Sequence, residues 1–475
     1  MNNKTTKIEK LKDIIIVVLV LNSILLLYFF WGEKDLSEIN LKDLYFDNVV
    51  GERFFTPEDV ALPSRFVVGL GNEEYMVMDD SKDVFLGTAA EESFLESVKS
   101  FMGAGNLFAE TITKEQYDEV FAAASMRAEF DYYMPFSEFC SYYGIQNTTV
   151  NEIKTLSAIG YSTVAPNNIF IYDKENQKYC RIVSENNAAY LENILEGIYA
   201  KEFYYYYPMK TYLGAEITNN LLMPLHLESD MALMDYTPEI NTENDEDISE
   251  EATEFFGNSA DFIRKIEEAG GRTIFMYGYA DIMLIVNSDG SVEYKDETAE
   301  GQPLGYFESL DTALAFIESK INFGEEDVEN INLYLVSAKA LSGSVTNYRF
   351  EFGMEYKDNE IFADKELLVV EVNEGAVSYF YKDIPVIEET SEENSLELTE
   401  TIAPINVLAL NNEYICEKIK NENQNISFEE MAELIISIKY GYFKGKDQLI
   451  PVWEVKINGF AEKLYFDLYT AEPVE

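Results

Sequence analysis

Residues 347–382 read NYRFEFGMEYKDNEIFADKELLVVEVNEGAVSYFYK. Tyr348, Phe350, Phe352, Met354 and Tyr356 alternate with Arg349, Glu351, Glu355 and Lys357. A period of two sends one set of side chains into a core and the other into water. Leu367 to Val372 then turns through Asn373, Glu374 and Gly375 into Val377, Tyr379 and Tyr381, which completes an antiparallel meander.

Upstream, Ile282 to Val286 and Ser291 to Tyr294 flank Asn287, Ser288, Asp289 and Gly290, a hairpin signal. Ser309 is placed to cap a helix whose apolar face is Leu310, Ala313, Leu314, Ile317 and Ile321. Downstream the plan recurs. Ser427 and Glu430 form a capping box ahead of Met431, Leu434, Ile435 and Ile438 on one helix face. Trp453, Val455 and Ile457 then alternate with Glu454 and Lys456, turn at Asn458 and Gly459, and return as Leu464, Phe466 and Leu468. Helix followed by meander, twice, predicts an α+β fold.

Toward the N-terminus, helical spacing recurs at Phe94, Leu95, Val98, Phe101 and Met102, at Tyr117, Val120, Phe121 and Ala124, and at Leu191, Ile194, Leu195 and Ile198. Arg65 to Gly69, Tyr75 to Met78, Asn168 to Tyr172 and the aromatic run Phe203 to Tyr207 read as extended. Two acidic stretches, 237–256 and 388–399, read as linkers, because they carry mostly Asp, Glu, Ser, Thr and Asn between apolar runs. The expected order is an N-terminal α+β domain over 36–236, a middle one over 257–387 and a C-terminal one over 400–475.

From Ile14 to Trp31 there are eighteen residues without a charge. As a helix they reach ~27 Å, close to the thickness of a hydrocarbon core. Tyr28, Phe29, Phe30 and Trp31 are too bulky for a signal-peptidase site and suit an interfacial anchor, so the helix is expected to be retained. Lys4, Lys7, Lys10 and Lys12 precede it, which predicts a cytoplasmic tail over 1–13, a single pass at 14–31 and an extracytoplasmic bulk at the cell membrane. Asn22 and Ser23 fall at mid-membrane depth, where a polar side chain gains most by facing another helix; they are the candidate partner-contact residues.

The chain carries 35 Lys and Arg against 87 Asp and Glu, a formal charge of −52, spread along its length. That field repels nucleic acid and anionic headgroups. With 47% hydrophobic and 14% aromatic residues it is a folded chain rather than an acidic tail. Cys140, Cys180 and Cys416 show neither metal-ligand nor redox spacing and are expected as free thiols, with a Cys140–Cys180 bridge left open.

Little in the sequence is arranged for chemistry. His226 is the only histidine, and its neighbours Met223, Pro224, Leu225 and Leu227 point to a structural role. Gly69 and Gly71 begin a dinucleotide-like motif, but Glu74 stands where its third glycine belongs. Neither a phosphate loop nor a nucleophile elbow appears. Paired carboxylates are too abundant to single out a glycosidase. Asn244 to Asp247 lacks the central glycine and final glutamate of a calcium loop. Of Tyr204 to Tyr207, at least half are expected in a core. No catalytic, metal-binding or cofactor-binding residue is expected, no cofactor is implied, and no small-molecule substrate is identified.

The order of these elements resembles the YycH/YycI family of Gram-positive bacteria. The resemblance rests on the anchor Ile14 to Trp31, the hairpin at Gly290, Ser291, Val292 and Glu293, the strand with Tyr348, Phe350 and Phe352, the turn and strand Gly375 to Tyr379, and the terminal Leu449 to Trp453. It spans most of the chain in architecture without a strict motif. It implies a non-enzymatic regulator that adjusts the membrane sensor histidine kinase of the cell-wall two-component system, with a paralogous anchored regulator as a further partner. No catalytic residues carry over, since that family has none. The two later modules are also similar to the PepSY-containing group, which implies an anchored protein that binds and controls a secreted hydrolase. A cell-envelope hydrolase is the least favoured alternative.

Overall fold

The alternating segment forms the strand Tyr348–Tyr356. Its Phe350, Phe352 and Met354 are buried while Arg349 and Glu351 stay half-exposed, as the period of two requires. Glu355, expected in water, is buried instead, in register with Glu360 of the next strand. In this computed structural model the described residues are 54–78, 94, 96–103, 107–145, 153–184, 204–214, 217–257, 262–321, 330–341, 347–387, 399–419 and 426–475. The tail 1–13, the apolar segment 14–31 with Asn22 and Ser23, the helix expected around Leu191 to Ile198, and nearly all of the stretch 388–399 lie outside them. Among the described residues no helix is long and apolar enough to cross a membrane.

A sheet of fifteen strands carries the C-terminal half. Its meander runs from Arg264–Glu267 through Thr273–Tyr277, Ile282–Val286 and Val292–Asp296 to Ala376–Lys382, Leu368–Asn373 and Tyr348–Tyr356. The helix Tyr306–Lys320 covers one face, with Leu310, Ala313, Leu314 and Ile317 packed toward Phe350, Val370 and Phe380. Its start corrects the sequence reading. Gly305, not Ser309, is the cap, because the Glu308 carboxylate reaches back to accept from the Gly305 N–H at 3.1 Å, and Ser309 sits buried one turn inside.

The middle and C-terminal meanders share this sheet. Asn359–Phe362 pairs in parallel with Ile435–Lys444, and Met234–Pro238 is inserted between Gln448–Ile457 and Pro385–Ile387. The Ser427–Glu430 capping box is present, but its helix stops at Leu434, so Ile435 and Ile438 belong to a strand and not to the helix face. Pairing with Gln448–Ile457 overrides the apolar helical spacing there. Residues Phe55–Glu475 form one compact unit with a continuous main core.

The acidic linker expected over 237–256 is a second correction: Asp245–Phe256 is a helix of 12 residues. Apart from the buried Glu251, the acids that suggested a solvated linker occupy its first turn and outer face, where Asp245, Glu246 and Asp247 meet the positive end of the helix dipole. Asn244 caps it, its side-chain oxygen accepting from the Glu246 N–H at 3.1 Å. Ile248, Ala252 and Phe256, at fourfold spacing, are buried.

The N-terminal part is a nine-stranded antiparallel sheet. The expected extended segments appear as Arg65–Gly71, Glu74–Met78 and Asn168–Asp173, and helix Lys114–Phe121 forms on its Thr113 cap. Leu107–Ile112, Ala124–Glu129, Ala158–Ser162, Lys178–Ser184 and Leu222–Pro224 join it without having been read from the sequence, and Tyr206–Pro208, at the end of the aromatic run, makes the ninth strand. Gly71, Asn72 and Glu73 all have positive φ, so the Gly-x-Gly is the tip of a hairpin rather than a strand-to-helix phosphate turn.

Candidate partner-binding cleft

On the face of the large sheet opposite the helix Tyr306–Lys320, strand register sets Arg349, Glu371, Tyr379 and Lys295 side by side across four strands. One rung along it sets Glu351, Val369, Tyr381 and Glu293. The turn Asn287 to Ser291 rises on one side and Lys365 and Glu366 on the other, enclosing a cleft of about 330 Å³ with Val369, Tyr379 and Tyr381 among its lining residues.

Both walls are fixed by hydrogen bonds. Asp289 Oδ1 accepts from the Ser291 N–H at 3.1 Å and from its hydroxyl at 2.7 Å, and Asn287 Nδ2 donates to Ser291 Oγ at 3.1 Å. The Thr242 hydroxyl donates to the Ser288 carbonyl at 3.2 Å and ties the turn to the segment before the acidic helix. Arg349 donates from Nε to Glu351 at 3.1 Å and from Nη1 to Glu371 at 2.9 Å, while Glu366 stands 4.0 Å from Nη2. Its guanidinium and the Lys295 ammonium lie 5.7 and 5.8 Å from the centre of the Tyr379 ring.

The electrostatics suit recognition better than catalysis. Burial pulls the Asp289 carboxyl up, but the Ser291 hydrogen bonds and the Lys365 charge outweigh it and hold the group below its ordinary range. A carboxylate so held is a weak base, so the Ser291–Asp289 contact locks a turn instead of activating a nucleophile. Burial, reinforced by Glu293 for Tyr379, pushes both cleft tyrosines up to about 12, so they keep their hydroxyl protons and can donate. Charges of both signs and phenol donors, over the buried Val369 at the cleft floor, suit a polar partner.

Other residues singled out by sequence lie elsewhere. His226 is half-exposed between Glu228 Oε1 at 3.6 Å and Glu400 Oε1 at 3.3 Å, which corrects the expected apolar setting; the strand pair Glu228–Ser229 and Thr399–Glu400 brings the two acids to it. Tyr204 and Tyr205 are exposed and Tyr206 and Tyr207 half-buried, so the expectation that half the run is core fails at this sheet margin. None of Cys140, Cys180 and Cys416 is in a disulfide; burial pushes the Cys140 thiol up to about 12, and its thiolate is suppressed. Among the described residues no group of three His, Cys, Asp or Glu could hold a metal ion. The cleft residues were legible only as a turn and a strand. The available signal was an Arg and Tyr pair on the wet side of a meander.

No protein-family model matches this chain, and no curated protein matches it. Among solved structures, YycH from Bacillus subtilis superimposes with a TM-score of 0.54 at 13% identity, over 86% of this chain and 96% of that one. The C-terminal domain of Bacillus megaterium YpeB aligns at 10% identity over 49% of this chain and 96% of its own length, with a TM-score of only 0.24. The resemblance carried by the meanders therefore extends to the tertiary structure: this chain has a YycH-like fold.

Proposed function

We propose that this chain is a membrane-anchored, non-enzymatic regulator that modulates the sensor histidine kinase of a cell-wall two-component system through transmembrane and extracytoplasmic contacts. The observation that carries the reading is the match to YycH over 86% of this chain, together with the uncharged segment Ile14 to Trp31 that precedes the matched fold. The family resemblance supplies the partner class. The anchor supplies Asn22 and Ser23 as helix-contact residues, and the cleft at Arg349, Tyr379 and Tyr381 offers a second contact surface outside the bilayer.

The test is co-purification in detergent of the full chain with the sensor kinase of its own genome, followed by crosslinking from residues flanking Asn22. Asn22→Leu is expected to weaken the crosslink at unchanged expression. A kinase that neither co-purifies nor changes its autophosphorylation in the presence of the chain overturns the reading. Protease added to intact cells is expected to digest the bulk of the chain, and full protection places it on the wrong side of the membrane.

A further inference from the structure

The acidic helix Asp245–Phe256 is fastened by a charge cluster that the proposed function does not use. Lys382, 1% exposed, ends the strand Ala376–Lys382 beneath it. Its ammonium stands 3.0 Å from both Glu239 Oε2 and Glu251 Oε1 as their ion-pair partner and donates to the Lys320 carbonyl at 3.1 Å, while the buried Glu251 Oε1 accepts no hydrogen bond. Glu251 lies on the buried face of the acidic helix, and Glu239 on the segment leading into it. Two carboxylates thus share one lysine. The remaining groups facing Glu251 are Glu254 of its own helix and Lys320 of the helix Tyr306–Lys320. Lys320 attracts Glu251 less than it attracts Glu254, and its ammonium is held by the Glu254 carbonyl, to which it donates at 2.7 Å, and by the Phe255 ring 4.9 Å away. A buried carboxylate in excess is costly unless it takes up a proton.

We propose that the helix Asp245–Phe256 is a proton-operated clasp, docked firmly when the Glu239–Lys382–Glu251 cluster holds one extra proton and loosened when that proton leaves. Otherwise the helix is held by the buried Ile248, Ala252 and Phe256, by Phe255 against neighbouring rings, by the Lys320–Glu254 hydrogen bond and by an exposed Lys265–Asp245 ion pair at 2.7 Å, while its outer face is a row of like charges. Release withdraws Phe255 from Tyr294, Phe316 and Phe380, with which it now packs at ring-centre distances of 5.1 to 6.3 Å, and uncovers those three rings. Burial, opposed by Lys382, raises the Glu251 carboxyl from 4.5 to about 6. The folded-state value is raised, so the docked helix binds the proton more tightly than the released one. Docking is strongest below pH ~4.5, weakens as pH rises toward 6, and is then constant, a span of up to ~30-fold in the opening equilibrium.

The test is amide hydrogen exchange of residues 245–256 in the full detergent-solubilised chain between pH 5 and 8, corrected for the intrinsic pH dependence of exchange. Protection is expected to fall by roughly sixfold across the lower half of this range and little further above it. Glu251→Gln, a neutral isostere, is expected to keep high protection at every pH, and the exposed control Glu250→Gln to fall as the parent does. Should Glu251→Gln lose protection throughout the chain, Glu239→Gln decides, since neutralising either carboxylate leaves one lysine facing one acid. Constant protection in the parent, or an undiminished fall in whichever of the two neutralised variants is folded, overturns the proposal.

Discussion

Replacing Lys382 with methionine keeps the stem of the side chain and removes only its charge and donors. In the parent the ammonium holds two carboxylates at 3.0 Å in a site where Lys382 is 1% exposed and Glu251 7%. Without it, Glu239 and Glu251 face each other with no cation between them, and removal of one member of a buried ion pair costs about 3–5 kcal/mol. The loss is expected to be largest at pH 7.5 and smaller at pH 5, where Glu251, already raised to about 6, takes up a proton and removes one of the two repelling charges. Trp453 reports the unfolding. It is 1% exposed, its indole N–H donates to the Ile402 carbonyl at 2.9 Å, and the chain's other tryptophan, Trp31, lies in the apolar segment. Urea titrations of parent and Lys382→Met, followed by Trp453 fluorescence at both pH values, measure the difference. A loss below about 1 kcal/mol at pH 7.5, or an equal loss at both pH values, refutes the view that the lysine compensates a surplus buried charge.

Two further perturbations probe other parts of the fold. On the N-terminal sheet, Glu129 lies between Arg65 at 2.7 Å and Arg127; burial raises its carboxyl, but the two guanidinium groups outweigh this and bring it down to about 2. Because the folded value is depressed, the stabilisation is complete above the unfolded pKa and disappears as pH falls from ~4.5 to 2. Glu129→Gln should therefore cost roughly 3 kcal/mol at pH 7 and almost nothing near pH 2, as read from denaturation midpoints. At the turn between the last two strands of the middle meander, Gly375 has φ +79°, and a methyl group there would meet the Gln302 carbonyl. Gly375→Ala is expected to lower stability by more than ~1 kcal/mol in the same urea assay, and a neutral result would mean that the turn can relax.

The strongly alternating segments carried their own structure. Tyr348 to Tyr356, Ile282 to Val286 and Trp453 to Ile457 form strands where local pattern and packing agree. The acidic helix was missed because charge density was read as solvation, while Ile248, Ala252 and Phe256 supplied an apolar stripe at helical spacing. Ala124–Glu129 and Lys178–Ser184 were missed because each is too short and mixed in composition for its alternation to stand out, and strand partners on both sides decide its conformation.

What the sequence determined alone was local: periodicity, turn chemistry, the Ser427 cap, the surplus of negative charge and an uncharged segment long enough to span a bilayer. Those properties depend on neighbours within a few residues, so spacing reveals them. What only the tertiary structure decided was which distant residues meet. The meeting of Arg349, Tyr379 and Asn287 in one cleft, and of Glu239, Glu251 and Lys382 around one ammonium, follows from strand order and helix docking. Register converts separations of more than a hundred positions into contacts of 3 Å, and no property of the individual residues encodes that choice.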